Sequence, residues 1–278
     1  MRVAIFGDIH ADVEALRALC ADIDDAEIDR VWCLGDFAFG GRSADACFDL
    51  TMQKTEVVLA GNHEWVLSRK AHDPFMLSHP RQFPEYAALG HERLDRLLGL
   101  KPYCVLSELG VELVHGSLTE PKFDFVRDER SAERRMAMAT QSIVVCGHTH
   151  NAAYYRETPS GSMEHVCKRV GVPYVLDRRC ILNPGAGRDG PSHSRWLELT
   201  LDREERTARD SHAQSRLIPP VNAPVEIDAR PGPEKSSRVW LFGVFEFASL
   251  TPTAVPPLVR GMLALGSLAR RRLGPSRR

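Results

Sequence analysis

Short apolar runs punctuate the first 150 residues, and several of them stop at a glycine beside a carboxylate, an amide or an imidazole. Residues 2–6 are nearly all apolar, the pattern of a strand covered on both faces of a sheet. Beyond them Val13, Leu16, Leu19 or Cys20, and Ile23 recur at helical spacing, with Asp12 and Glu14 where a first helical turn favours negative charge. Residues 31–34 predict a second strand, 44–52 a helix and 57–60 a third strand, with a glycine-rich loop at 37–42. Strand, helix, strand, helix, strand is the rhythm of an α/β sheet with crossover helices.

Residues 65–101 break that rhythm. Trp65, Phe75, Phe83 and Tyr86 alternate there with Arg69, Lys70, His72, His79 and Arg81, three prolines interrupt, and residues 85–98 have helical periodicity. The stretch predicts a helical insert, either a cap beside a site or surface helices over a sheet edge. Residues 103–106 and 111–114 predict a strand pair turned at Glu108-Leu109-Gly110, 130–140 a helix and 143–146 a strand. From residue 152 onward short runs at 152–156, 174–176, 180–182 and 196–201 predict an antiparallel region, with a strong turn at Asn183-Pro184-Gly185-Ala186-Gly187.

The globular pattern fades near Arg203. Residues 1–204 are therefore expected to form one domain, and 205–278 a linker and C-terminal extension. Residues 203–238 are rich in Pro, Arg, Glu and Ser, and 239–247 are apolar and aromatic. Residues 257–273 have the spacing of a helix with a basic end, which suits peripheral membrane contact through 257–278, a protein partner, packing on the body, or disorder.

Composition narrows the class. The 278 residues carry 36 basic and 37 acidic side chains, so no net charge attracts nucleic acid. The seven cysteines are odd in number, form no C-x-x-C pair, and in part sit inside apolar runs, which predicts reduced core residues. No basic leader opens the sequence, and no run reaches ~18 uninterrupted apolar residues. Together these features predict a cytoplasmic protein. Nothing in the sequence speaks to oligomeric state.

The candidate chemistry lies at the ends of the apolar runs. They finish in Gly7-Asp8-Ile9-His10, Gly35-Asp36, Gly61-Asn62-His63-Glu64, His115-Gly116 and Gly147-His148-Thr149-His150. Ligands of α/β sheets bind outside the carboxyl ends of the strands. If these strands share a sheet, Asp8, His10, Asp36, Asn62, His115, His148 and His150 converge on one edge. Seven nitrogen and oxygen donors with no thiolate exceed one tetrahedral zinc and suit two divalent ions, with one carboxylate between them. Asp36 is the expected bridge. Two dications, less two carboxylates and a bridging hydroxide, leave net positive charge, which attracts a phosphoryl group for in-line attack by that hydroxide. His63, next to Asn62, is expected to protonate the leaving alkoxide, with Glu64 behind the ligands or at the surface.

This ordered set of motifs resembles the calcineurin-like metallophosphoesterase superfamily over residues 1 to about 201. The resemblance implies an αββα sandwich of two mixed β-sheets flanked by helices, and a binuclear centre. It implies one metal on Asp8, His10, Asp36 and His150, a second on Asp36, Asn62, His115 and His148, and His63 as proton donor. Manganese is the first expectation for the two ions, with iron, zinc, nickel or magnesium as alternatives. Asn183-Pro184-Gly185 is similar to the Asn-Pro-Gly-Ser segment of the small bacterial members.

Two departures shape the expectation. Protein phosphatases of the superfamily carry Asp-x-x-Asp-Arg-Gly after the second strand, whereas Asp36-Phe37-Ala38-Phe39-Gly40 lacks the second Asp and the Arg. The Asn-Pro-Gly segment continues into Ala186-Gly187-Arg188, which leaves Arg188 either a phosphate ligand or a solvated turn residue. The expected activity is hydrolysis of a small phosphorylated substrate, a phosphodiester or a nucleotide including dinucleoside polyphosphates. The alternatives are a non-catalytic metal-binding scaffold or protein-interaction module on the same fold and, among enzymes, a protein Ser/Thr phosphatase or a nuclease.

Overall fold

The period-two alternation of buried apolar side chains divides the molecule into two sheets and the layers they enclose. A computed structural model describes residues 1–40, 43–117, 124–167, 170–188, 193–201 and 206–214. All of these belong to the first of two units, Met1–Asn222, while the second, Ala223–Arg278, lies outside the described residues. The expected apolar run at 239–247 and the expected helix at 257–273 lie there too.

Among the described residues the chain runs β1 (Arg2–Phe6), α1 (Val13–Asp24), β2 (Arg30–Cys33), α2 (Ala44–Lys54) and β3 (Val57–Val58). Helices α3 (Asn62–Arg69), α4 (Pro74–Ser78) and α5 (Pro84–Gly99) follow, then β4 (Tyr103–Leu106), a 3₁₀ turn at Ser107–Leu109 and β5 (Val111–Val114). The remainder is α6 (Glu129–Met138), β6 (Ile143–Cys146), β7 (Ala153–Glu157), β8 (Met163–His165), β9 (Tyr174–Val175), β10 (Cys180–Asn183), β11 (His193–Leu201) and β12 (Arg206–Gln214).

The first sheet has the order β3-β2-β1-β11-β12-β9 and the second β4-β5-β6-β10-β7-β8. Both are mixed: β1, β2 and β3 are parallel, as are β5, β6 and β10, and antiparallel strands complete each. Alternate side chains Val3 and Ile5, Val111 and Leu113, Ile143 and Val145, Leu197 and Leu199 fill one core cluster drawn from both sheets. The intervening Val114, Val144, Cys146 and Ile181 pack with Ala132 and Met136 of α6 in a second cluster. A strand buried on both faces reads as a continuous apolar run for this reason. The expected αββα arrangement of two mixed sheets with flanking helices is the observed one.

Three details differ from the sequence reading. The third strand ends at Val58: Leu59 still donates its N–H to the Cys33 carbonyl of β2 at 2.9 Å but pairs on its other side with Lys101, whose carbonyl accepts the Ala60 N–H at 2.8 Å. That contact joins the two sheets edge to edge. The strands after residue 152 pair with one another antiparallel, as expected, but β10 also runs parallel to the earlier β6 and brings Asn183 to the same sheet end as Gly147. The sheet also continues past residue 204: β12 pairs with β11 along its whole length, from Leu201↔Arg206 to His193↔Gln214. The insert comprises α3, α4 and α5, with α5 packed on α2 and α3. No helix among the described residues is long and apolar enough to cross a membrane.

Candidate metal centre

The parallel strands of both sheets deliver their C-terminal loops to one place. Asp8 and His10 follow β1, Asp36 follows β2, His115 follows β5, and His148 and His150 follow β6. Asn62 and His63 open α3, whose first turn lies against Asp36. The loops after β1 and β2 are zipped by Asp8 N–H to the Gly35 carbonyl (3.0 Å), His10 N–H to Asp36 (2.9 Å) and Ala11 N–H to Phe37 (3.0 Å). Those after β5 and β6 are joined by Gly147 N–H to the His115 carbonyl at 2.7 Å.

Backbone strain concentrates here. Asp8, His10, Asp36, His148 and His150 all have φ between 53° and 68°, a region that costs a non-glycine residue on the order of 1–3 kcal/mol. Side chains aimed from left-handed backbone leave the sheet line and turn together. Gly61 permits the closest approach, since a Cβ there would lie 2.0 Å from Asp36 Oδ1.

Among the described residues three groups of side chains are each compact enough to hold a metal ion: Asp8, His10 and His150; His10, Asp36 and His63; Asp36, His115 and His148. Nε2 of His10 and His150 are 3.0 Å apart, and His150 Nε2 is 3.4 Å from Asp8 Oδ1. His115 directs Nε2 at Asp36 Oδ2 (3.2 Å) and Asn62 Oδ1 (3.1 Å), while its Nδ1 meets the Leu34 carbonyl at 2.9 Å. All seven sequence candidates thus lie in one cluster, with His63 on its rim. The His63 Nε2 stands 3.7 Å from Asp36 Oδ2, and its ring stacks 5.0 Å from Phe39.

The charges respond to that crowding. Burial pushes the His10 imidazole down to about 4, helped by His63 and His150, against Asp36 and Asp8. Burial does the same to His148, also to about 4, with His115 adding to it. Burial opposes charge on His115 as well, but the Asp36 carboxylate, with Asp8 and Glu64, outweighs it and raises that ring to about 9. Burial of Asp36 favours its neutral form, yet His115, His63 and His10 together hold it well below the usual carboxylate range. The adjacent Asp8 carboxylate raises His150, against burial.

The donor set fits cations. Asp8 Oδ1 is buried without a hydrogen-bond partner, although Oδ2 accepts the His148 N–H at 3.1 Å. Two carboxylates, an amide oxygen and four imidazoles face one another with more lone pairs than protons, and hard or borderline divalent ions resolve that excess.

Glu64 has a larger structural role than its sequence position suggests. Fully buried, it accepts N–H groups from Asp36 (2.7 Å), Phe37 (3.0 Å), Ala38 (2.9 Å) and Gly61 (3.0 Å), tying the β2 loop to the start of α3. Its spacing, three residues after a helix-capping glycine, is the available signal, because a Glu there reaches back to the cap N–H. Asn183 works similarly: Nδ2 donates to the Gly147 carbonyl (2.9 Å) and Thr149 Oγ1 (3.1 Å), holding the loop of His148 and His150. Phe125, unremarked in the sequence, stacks on His148 at 4.2 Å and 5°. Arg188 is exposed and ion-paired to Asp12 at 3.0 Å, outside the three groups.

Comparison with known proteins agrees with this architecture. A family model described as the calcineurin-like phosphoesterase superfamily domain matches residues 1–199. A metallophosphoesterase from Sphaerobacter thermophilus superposes with a TM-score of 0.63 at 26% identity, covering 76% of this chain and 88% of that one. A hypothetical protein from Pyrococcus horikoshii OT3 shares the fold at a TM-score of 0.56 and 18% identity, over 77% and 88% of the two chains. An uncharacterised protein of Methanocaldococcus jannaschii is 34% identical over 74 residues, 26% of this chain and 30% of that relative's own length.

Proposed function

This chain belongs to the calcineurin-like phosphoesterase superfamily, and on that premise we propose that it hydrolyses phosphoric esters at a binuclear metal centre, on a small phosphodiester or nucleotide. The observation that carries the reading is the position of Asp36, which is common to two of the three compact groups and lies next to His63. Asp8, His10, Asp36 and His150 would hold one ion, and Asp36, Asn62, His115 and His148 the other. Two such ions, when bound, polarise the phosphoryl oxygens and acidify a water molecule between them.

The chain's own residues supply the rest. His115 is oriented for ligation by the Leu34 carbonyl, which accepts a hydrogen bond from Nδ1–H and leaves Nε2 to the site. Glu64 and Asn183 fix the loops that carry the ligands, so that little reorganisation accompanies substrate binding. His63 gives its Nε2 proton to the departing alkoxide oxygen, and the Asp36 carboxylate keeps that ring over the cluster. Arg188, on the loop that Gly187 N–H ties to the Gly7 carbonyl at 2.7 Å, lies at the rim as a phosphate contact once it exchanges Asp12 for substrate.

The test is hydrolysis of bis(p-nitrophenyl) phosphate and p-nitrophenyl phosphate by protein loaded with manganese, with bound metal counted in parallel. Turnover with two ions per chain is expected. Two bound ions with no hydrolysis under any divalent metal would sink the enzyme reading and leave a metal-binding scaffold.

A further inference from the structure

The face of the centre that carries His148 continues outward through two further side chains. The Phe125 ring lies parallel to the His148 imidazole at 4.2 Å. The guanidinium carbon of Arg127 stands 5.3 Å from the centroid of that same phenyl ring. Imidazole, phenyl and guanidinium thus form a continuous stack that begins at one of the three compact groups.

The stack rests on an anchored backbone. Val126, between its two outer members, is buried among Ala132, Met136 and Val144. The Arg127 N–H donates to Ser131 Oγ at 3.0 Å, and Asp128 caps α6 through the Ser131 N–H at 2.7 Å. Ser117 N–H donates to the Asp124 carbonyl at 2.7 Å, tying the segment to the strand end that bears His115. Arg127 is therefore an exposed side chain on a fixed base.

The adjacent Asp128 feels the charge of Arg127, but no carboxylate among the described residues pairs with that guanidinium. Arg134 pairs with Asp124 at 3.8 Å, Arg135 is paired with buried Glu112, and Arg188 pairs with Asp12. Arg127 forms no ion pair among the described residues. A guanidinium resting on a ring keeps its in-plane N–H donors outward, in the fork that matches a phosphate bidentately.

We propose that Arg127, presented on Phe125, is an anion subsite for a second phosphate, the one that leaves with the rest of the substrate when the terminal phosphoryl group sits on the metal centre. The substrate class is then a phosphoanhydride, a nucleoside diphosphate or longer polyphosphate, in preference to a simple monoester. This inference rests on the phosphoester reading and names its substrate.

Equilibrium dialysis of the full-length, manganese-loaded protein with α,β-methylene-ADP, an uncleavable stand-in for ADP, and with AMP tests it. Arg127→Met should weaken binding of this ADP analogue about tenfold, the size of one lost charge-assisted pair, and leave AMP unchanged. Arg130→Met, which removes a neighbouring exposed charge from α6, should change neither. Unaltered affinity for the ADP analogue in Arg127→Met, equal losses for the analogue and AMP, or an equal effect of Arg130→Met would overturn the subsite. Hydrolysis of ADP and p-nitrophenyl phosphate by the unmutated protein is followed separately. Failure to cleave either with two ions bound defeats the phosphoester reading, and the dialysis still decides whether Arg127 binds the second phosphate.

Discussion

Asp36 holds His63 at two points: Oδ1 accepts the His63 backbone N–H at 3.0 Å, and Oδ2 lies 3.7 Å from its Nε2. One carboxylate therefore both belongs to the metal-capable cluster and sets the ring proposed to release the leaving group. That double engagement makes the two residues separable by experiment.

Asp36→Asn should lower metal content from two ions per chain to one or fewer, measured by atomic emission on the dialysed protein. Turnover should fall by about a hundredfold or more, since loss of the ligand proposed to be shared would disturb both ions. A variant that keeps two tightly bound ions would show that Asp36 does not bridge.

His63→Ala should behave differently. Turnover on a poor leaving group should drop by roughly 10²–10⁴, the range for a lost general acid, while metal content stays at the unmutated level. Because His63 also belongs to a compact group with His10 and Asp36, loss of an ion in this variant would make it a ligand instead of a proton donor.

Glu64→Gln replaces an acceptor of four backbone N–H groups with a side chain that has one oxygen and an NH₂ facing donors. A cost of about 2–4 kcal/mol is expected from the unpaired buried donors. Thermal unfolding should show a clear fall in Tm together with weaker metal binding. An unchanged Tm would mean that water replaces the lost acceptor at no cost.

Chelator-treated protein should lose stability on both sides of neutrality. His10 and His148 titrate at about 4 when folded but near 6.5 when unfolded, so the unfolded chain binds more protons between those values and stability falls as pH drops through them. His115 has the opposite sign: its contribution is full below about 6.5 and is lost as pH rises through about 9. Manganese loading should flatten the alkaline side, because bound imidazoles are neutral already. A Tm that is flat from pH 4.5 to 9 in the chelated protein would contradict the shifts.

The end of the sheet offers a test of architecture. A chain ending at residue 204 lacks β12, which separates β11 from β9 in the first sheet. It should unfold at lower temperature than a chain ending at 214, and bind less metal. Equal melting of the two would show that β12 adds nothing to the sheet.

The sequence by itself picked out the metal-capable side chains, because local pattern places Asp8, His10, Asp36, Asn62, His115, His148 and His150 just beyond short apolar runs. Those runs belong to two sheets, so it was the apposition of the two sheets that brought the side chains together. The strand–helix rhythm indicated the α/β class, and the resemblance of the ordered motifs implied the two-sheet sandwich. Only the tertiary structure decided what lies behind and beside those ligands. Glu64 takes its acceptor role from a loop 26 to 28 residues away, and Phe125 meets His148 across a gap of α6 and β6. No local periodicity reports such contacts. The polar strand Arg206–Gln214 escaped for a related reason: it has almost no apolar alternation, and backbone pairing with β11, a non-local interaction, is what makes it a strand.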